Sequence, residues 1–344
     1  MDRRSIKLKK IGLIVNPASG KDIRRLVAQG AVFGNREKIN YLLRILRGLD
    51  GILYSPVAVV YMPDPYGLVE VARDEGRHWL KHLVFHACPM TVFGDEQDTL
   101  TFTEYAVREQ GVELILVVGG DGTNRLVAKK SGTTPLFPVS AGTNNVFADT
   151  IEPTVVGMAA AYYLTGQMKG NGVLQRQKIL RIEKDDMLQD AALVDAVLLS
   201  TRERGARAVW DVAPIRLVAV THTDPLKIGL STLVGRVADV PASEKRGAFV
   251  RLGKTGKRVS VPIAPGLLQT VYVGEFGYLD IGERIALDGE MGIIALDGER
   301  EVLVRRNERW SIVLDDSGPV KANISEIMKA GELGRLPQSG LVPV

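Results

Sequence analysis

The run Leu114-Ile115-Leu116-Val117-Val118, followed at once by Gly119-Gly120-Asp121-Gly122-Thr123, constrains this chain more than any other stretch. An apolar run with no polar face must be covered on both sides, as in a parallel sheet between two helix layers. It ends in three glycines and one carboxylate, and Asn124-Arg125-Leu126-Val127 then reads as the start of a helix. Glycines at the carboxyl end of a central strand let backbone N–H groups approach a phosphate, and an acid among them can take a proton. The pattern points to phosphoryl transfer.

The surrounding residues repeat the theme. Ile11–Val15, Val57–Tyr61, Leu83–Phe85 with Thr91–Phe93, Leu114–Val118 and Leu136–Val139 are strand-like. Arg36–Leu49, Leu68–Lys81 and Asp98–Glu109 between them have helical spacing. Such alternation implies an open, mostly parallel α/β sheet with right-handed crossovers, which binds ligands beyond the carboxyl ends of its strands. After a helix expected over Thr154–Thr165 the character changes. Short β-branched runs from Val173 to Leu314, broken by Gly, Pro and Asp turns, predict a mostly antiparallel β-domain, interrupted by a helix over Thr201–Val209. The expected organisation is an α/β domain over 1–150, a mostly-β domain over 151–325 and a C-terminal tail over 326–344, part helical. The basic segment Ser243–Lys257 reads as an exposed hairpin region. One local repeat, Asp288-Gly289-Glu290 and Asp297-Gly298-Glu299, reads equally as a pair of strand-end turns and as a functional element.

Bulk properties narrow the function. A hydrophobic fraction of 45% and a charged fraction of 24% suit a soluble globular protein, and a net charge of +4 suits anionic small molecules rather than nucleic acid. The lone Cys88 excludes an internal disulfide framework, and no His-Glu-x-x-His frame accompanies His78 and His82, so no metal site is expected. No stretch approaches the ~18 apolar residues of a membrane span. The apolar residues after the basic Met1–Lys10 are too few for the ~7–15 of a signal-peptide core, which makes the cytoplasm the expected compartment.

Two familiar phosphate fingerprints are missing. Val15 stands where a Walker A loop ending in Gly20-Lys21 needs glycine, and no Gly-x-Gly-x-x-Gly follows a strand. Three polar segments instead follow strands. Asn16-Pro17-Ala18-Ser19-Gly20-Lys21 supplies side-chain donors and acceptors, a flexible glycine and a point charge. Gly119–Thr123 places the Thr123 hydroxyl near a helix start. Ser140-Ala141-Gly142-Thr143-Asn144-Asn145-Val146-Phe147 is again polar. Three such loops at one sheet edge converge on one crevice.

In order and spacing, these segments resemble the NAD kinase/diacylglycerol kinase superfamily. Ala141–Phe147, Ile228-Gly229-Leu230-Ser231, Ala264-Pro265-Gly266-Leu267 and Ile294–Glu301 are most similar to its ATP-NAD kinase-like acetoin-catabolism protein X group. The resemblance implies the two-domain architecture of NAD kinases. It also implies ATP or polyphosphate as donor, Mg²⁺, NAD as substrate or ligand, nucleotides as partners, and a homo-oligomer. Asp121 matches the acid that activates the acceptor hydroxyl, as general base. Gly119, Gly120, Gly122, Thr123 and the adjoining Asn124 match its phosphate-contacting neighbourhood. Asn16, Ser19, Gly20 and Lys21 match the first loop, and Gly142, Thr143 and Asn145 the third. Asp297 and Glu299 match a carboxylate pair of the lipid kinases that faces the nucleotide from the β-domain.

Two positions depart from the superfamily. NAD kinases carry Ala-Leu-Asn-Glu early in the β-domain, where the Asn-Glu pair grips the nucleotide; here Ala192-Leu193-Val194-Asp195 stands, and Asp195 is the shortened acid. Lipid kinases carry Asp after the motif Asn, where this chain has Val146. Three functions follow as expectations: NAD kinase-like phosphoryl transfer to a hydroxyl, a nucleotide-binding regulator without catalysis, and a lipid or sphingoid-base kinase.

Overall fold

A computed structural model describes residues 8–20, 33–142, 145–166, 172–201 and 211–333, with 300, 301, 332 and 333 described by backbone alone. The first part alternates strand and helix: β1 (Lys9–Val15), α1 (Asn35–Asp50), β2 (Val57–Tyr61), α2 (Leu68–Gly76), β3 (Leu83–Ala87), α3 (Glu96–Glu104), β4 (Leu114–Gly119), α4 (Asp121–Ser131), β5 (Leu136–Ser140) and α5 (Pro153–Thr165). The remainder comprises β6 (Leu174–Arg176), β7 (Ile179–Lys184), β8 (Met187–Ala192), β9 (Asp195–Leu199), β10 (Ile215–Val220), α6 (Ser231–Gly235), β11 (Arg246–Ala264), β12 (Leu267–Asp280), β13 (Arg284–Ala286), β14 (Gly292–Leu296), β15 (Glu299–Val304), β16 (Trp310–Asp315), β17 (Val320–Ala322) and α7 (Ile324–Leu333).

Among the described residues the first sheet has the order β3-β2-β1-β4-β5-β17-β6. Its pairs from β3 through β17 are parallel, and β6 is antiparallel to β17. Every residue of β2, β4 and β5 is buried, as their apolar character requires. Helix α1 turns Ile39, Leu42, Ile45, Leu46 and Leu49 inward at helical spacing, into one core with Val156 and Ala160 of α5 and Ile327 of α7. The α/β expectation and the antiparallel β-domain are both observed.

The domain cut expected at residue 150 does not coincide with this packing. Helix α5, strands β6 and β17 and helix α7 complete the first domain, so the β-domain is inserted between β6 and β17. The helix expected over Asp98–Glu109 closes as α3 and continues in a wider π-type turn over Tyr105–Gln110. Thr91–Phe93 forms no strand. The single strand expected over Ala191–Leu199 is broken at Leu193-Val194, and half of the region expected as exposed hairpin, from Arg246, forms the inner part of β11. The expected helix over 201–209 lies, apart from Thr201, outside the described residues.

In the inserted domain a sheet of order β12-β11-β10-β9-β14-β15 packs face to face on one of order β13-β16-β7-β8. Their shared core joins Leu198, Leu217, Ile294 and Leu296 to Leu180, Ile182, Ile312 and Leu314. The opposite face of the larger sheet is covered by Leu233 and Val234 of α6 and by the far half of the β11–β12 hairpin, through Val259, Val261, Val271 and Val273.

Candidate nucleotide-phosphate site

Strand register brings the three predicted loops together. Val15 pairs with Val118, and Gly119 with Ser140, so the loops leave the sheet from adjacent strand ends. Asn16 anchors the first loop: its Oδ1 accepts from the Ala18 amide (2.8 Å) and its Nδ2 donates to Thr123 Oγ1 (2.8 Å). Ser19 Oγ lies 3.4 Å from that hydroxyl and accepts from the Gly120 amide at 3.3 Å. Gly20 has φ +71, and a Cβ there would lie 2.6 Å from Phe33 Cβ, so this corner admits only glycine. Lys21, Thr143 and Asn144 lie outside the described residues.

The third loop closes on the second from the other side. Asn145 Oδ1 accepts from the Asp121 amide at 3.3 Å, while its Nδ2 donates to Ser140 Oγ at 2.8 Å. A Cβ on Gly120 would lie 3.1 Å from Asn145 Oδ1, and one on Gly122 3.2 Å from Glu299 Oε1. The glycines therefore face two different walls, and the β-domain carboxylate Glu299 stands over the first turn of α4.

Asp121, read as proton acceptor, is 8% exposed and is already engaged. Its Oδ2 accepts from the Val146 amide (2.7 Å) and its Oδ1 from Phe147 and Ala148 (both 3.1 Å). Burial pushes its carboxyl above the ordinary value, against the lowering effect of these amides and of Lys321. Asp297 repeats the arrangement in the β-domain. Its side chain is fully enclosed; Oδ2 accepts from Leu193 (3.0 Å), and Oδ1 from Val194 (2.7 Å) and Asp195 (3.3 Å). Burial pushes Asp297 up to about 7, opposed chiefly by Arg125 and reinforced by the charge of Asp121. Neither carboxylate is simply presented to solvent.

Two further predicted residues are also turned inward. Asn124 is completely buried, and its Nδ2 donates to the Gly120 carbonyl at 2.9 Å. It braces the glycine turn from behind. Asp195 is 6% exposed, with its carbonyl accepting from the Asp297 amide at 2.9 Å.

The two departures from the superfamily pattern meet in space. Val146 and Val194 belong to one apolar cluster with Ile14, Val127, Phe147 and Leu193, which seals the α/β domain against the β-domain. At both positions an apolar side chain packs between the domains.

Sequence reasoning missed several partners. Buried Lys38 on α1 donates from Nζ to the Pro17 carbonyl at 2.6 Å and so braces the first loop. Arg125, one turn after Asp121, is 2% exposed; that i, i+4 spacing was visible, but its partners Asp190 and Asp297 were not. Beside the third loop a cleft of about 370 Å³ is lined by Val146, Phe147 and Asp149 on one side and by His222, Asp239 and Lys321 on others. Lys321 Nζ donates to the Phe147 carbonyl (2.7 Å) and pairs with Asp149 (2.9 Å).

Comparison with known proteins agrees with this construction. Residues 11–168 match the ATP-NAD kinase N-terminal domain, and residues 178–317 match the acetoin catabolism protein X C-terminal domain. The second match begins and ends at the junctions of the inserted β-domain. The chain is also similar to a protein described as acetoin catabolism protein X from Cupriavidus necator, 33% identical over 349 residues, covering 96% of each chain.

Proposed function

Because this chain belongs to the acetoin catabolism protein X family and carries an ATP-NAD kinase N-terminal domain, we propose that it binds nucleotide phosphates at the head of α4 and transfers the terminal phosphoryl group to a hydroxyl. The observation that carries this reading is the mutual bonding of Asn16, Ser19, Thr123, Gly120 and Asn145 around one helix N-terminus. Such a cradle fixes the hydroxyls of Ser19 and Thr123 at the positive end of the helix dipole, where phosphate oxygens are favoured.

In phosphoryl transfer the protein chiefly positions groups and offsets developing charge. Asn16, Ser19 and Thr123 would hold the donor phosphates, with Lys21 as an added cation. The donor set at the cradle suits ATP bound as its magnesium complex, the Mg²⁺ carried by the phosphates and neutralising their charge. Among the described residues Asp121 Oδ2 accepts one hydrogen bond, which leaves it a lone pair for the acceptor proton, while Oδ1 holds the third loop. Glu299 over Gly122 and the cleft beside Phe147 support an acceptor bound on the β-domain side. A nucleotide hydroxyl, with NAD the first to try, is the acceptor class we favour.

Mass spectrometry of nucleotide that co-purifies with the protein, followed by transfer of labelled phosphate from ATP to NAD or diacylglycerol, tests the reading. Absence of both bound nucleotide and transferred label across these acceptors would sink it. A second reading, a nucleotide-responsive regulator, is favoured by the apolar cluster around Val146 and Val194. Tight ATP or NAD binding with no ADP release would select it.

No helix among the described residues is long and apolar enough to cross a membrane, and we take the cytoplasm as the working compartment. For assembly we favour a homodimer through β12, which forms one edge of the six-stranded sheet. Its outward Leu268, Tyr272 and Phe276 are exposed.

A further inference from the structure

Helix α4 holds two parts of the molecule with one face. Asp121 and Arg125 are one turn apart, so their side chains lie side by side. Asp121 grips the amides of Val146, Phe147 and Ala148 in its own domain. Arg125 crosses to the β-domain: Nη1 lies 3.2 Å from Asp190 Oδ2 and Nε 3.8 Å from Asp297 Oδ2. Asp297 in turn grips the amides of Leu193, Val194 and Asp195. The chain of contact therefore runs from the glycine loop, through one guanidinium, to the turn where NAD kinases carry their nucleotide-gripping pair.

Planar guanidinium suits this position because its fork can face two carboxylates at once, which a lysine ammonium cannot do in fixed geometry. Asp297 also sits at φ +50 in the two-residue Asp-Gly turn between β14 and β15, a turn that fixes where its carboxylate points.

We propose that Arg125 is a positioning residue that couples the glycine-loop helix to the Leu193–Asp195 turn by holding Asp297 in the geometry that caps it. The functional meaning of that turn as part of the acceptor wall rests on the proposed reaction; the coupling can be measured without turnover. The charges acting on Asp297 are those of Arg125 and Asp121 on α4, and the same guanidinium also faces Asp190 on β8. Lys129 on α4 is engaged with Asp190 as well, at 2.8 Å. With Arg125 absent, the acids dominate, and a buried carboxylate so surrounded takes up a proton more readily. A protonated Asp297 accepts the three amides poorly, and the turn loosens.

The test follows the Asp297 carboxyl carbon and the turn amides by NMR, in the full chain. In Arg125→Met the Asp297 midpoint is expected to rise by about one pH unit or more. Exchange of the Leu193–Asp195 amides at pH 7, corrected for intrinsic rates, is expected to speed up about tenfold, with protection regained at pH 9. The Val146–Ala148 amides, held by Asp121, should change far less. Arg125→Lys should restore part of the effect. Asp190→Asn removes a competing acid and should move the Asp297 midpoint downward, the opposite sign. The Lys and Asn variants keep a buried partner in place and so decide the matter if the Met variant does not fold. An Asp297 midpoint that ignores these substitutions, or equal loosening of both sets of amides, overturns the proposal. Because no readout uses phosphoryl transfer, failure of the coupling and failure of the proposed reaction are separate results.

Discussion

Asp121 accepts a 2.7 Å hydrogen bond from the amide of Val146, so the acid of the glycine loop holds the residue that stands where lipid kinases carry an acid of their own. This changes what a substitution at Asp121 reports. An asparagine side chain would turn an NH₂ donor toward one of three amide donors, leaving buried groups unsatisfied. Asp121→Asn is expected to lower the unfolding free energy by about 1–3 kcal/mol, as well as to stop the proposed phosphoryl transfer. Chemical denaturation checks the first effect. An unchanged midpoint would mean that Asp121 is not a clamp, and that loss of activity reports only a lost base.

Val194 is 1% exposed and shares its apolar cluster with Val146. Restoring the polar residue of NAD kinases should therefore fail. Val194→Asn places an amide among apolar neighbours, at a cost of about 1–3 kcal/mol. Calorimetry should show no gain in NAD affinity. Tighter NAD binding with unaltered stability would show instead that the position still faces a nucleotide.

The glycine loop and its two companions were legible because their information is local: apolar strand, turn, helix start. Strand register then did what composition implied. The partners of Asp121 and Asp297 were not legible, because they are backbone amides, which carry no residue type. The strings Asp288-Gly289-Glu290 and Asp297-Gly298-Glu299 are alike in sequence, yet Asp288 is exposed and the Asp297 side chain is closed in. Only the pairing of Leu296 with Ala196, which lays the second turn against Leu193–Asp195, separates them. Likewise the return of the chain to the first sheet rests on a β17 of three residues, too short for any pattern to announce.

His222 supplies a pH dependence with a definite sign. Burial, reinforced by Lys321 and Lys178, pushes it down to about 4, and its Nδ1 lies 2.9 Å from Thr221 Oγ1. The unfolded chain binds the proton first as pH falls, so stability is lost from about pH 6.5 downward and the loss levels off near the folded value. The whole effect is at most about 3 kcal/mol, and less for the part of the ring open to the cleft. His222→Gln should flatten this portion of the curve. Parallel stability curves for the two proteins between pH 4 and 6.5 would remove His222 as the cause.

Strand β12 runs for 14 residues along one edge of its sheet, and an exposed edge invites another strand. Antiparallel pairing of β12 with itself about a two-fold axis would bury Leu268, Tyr272 and Phe276 of both copies on matching surfaces, as an isologous dimer requires. Tyr272 lies opposite Arg258 and Phe276 opposite Val250, so both belong to the paired length of the hairpin rather than to its tip. Charges placed there should separate the copies without disturbing the fold beneath. In Tyr272→Lys with Phe276→Lys, sedimentation is expected to show monomer in place of dimer, while circular dichroism keeps the wild-type strand signal. A wild-type protein that sediments as a monomer at tens of micromolar would refute assembly through this edge, and a variant that stays dimeric would move the interface elsewhere.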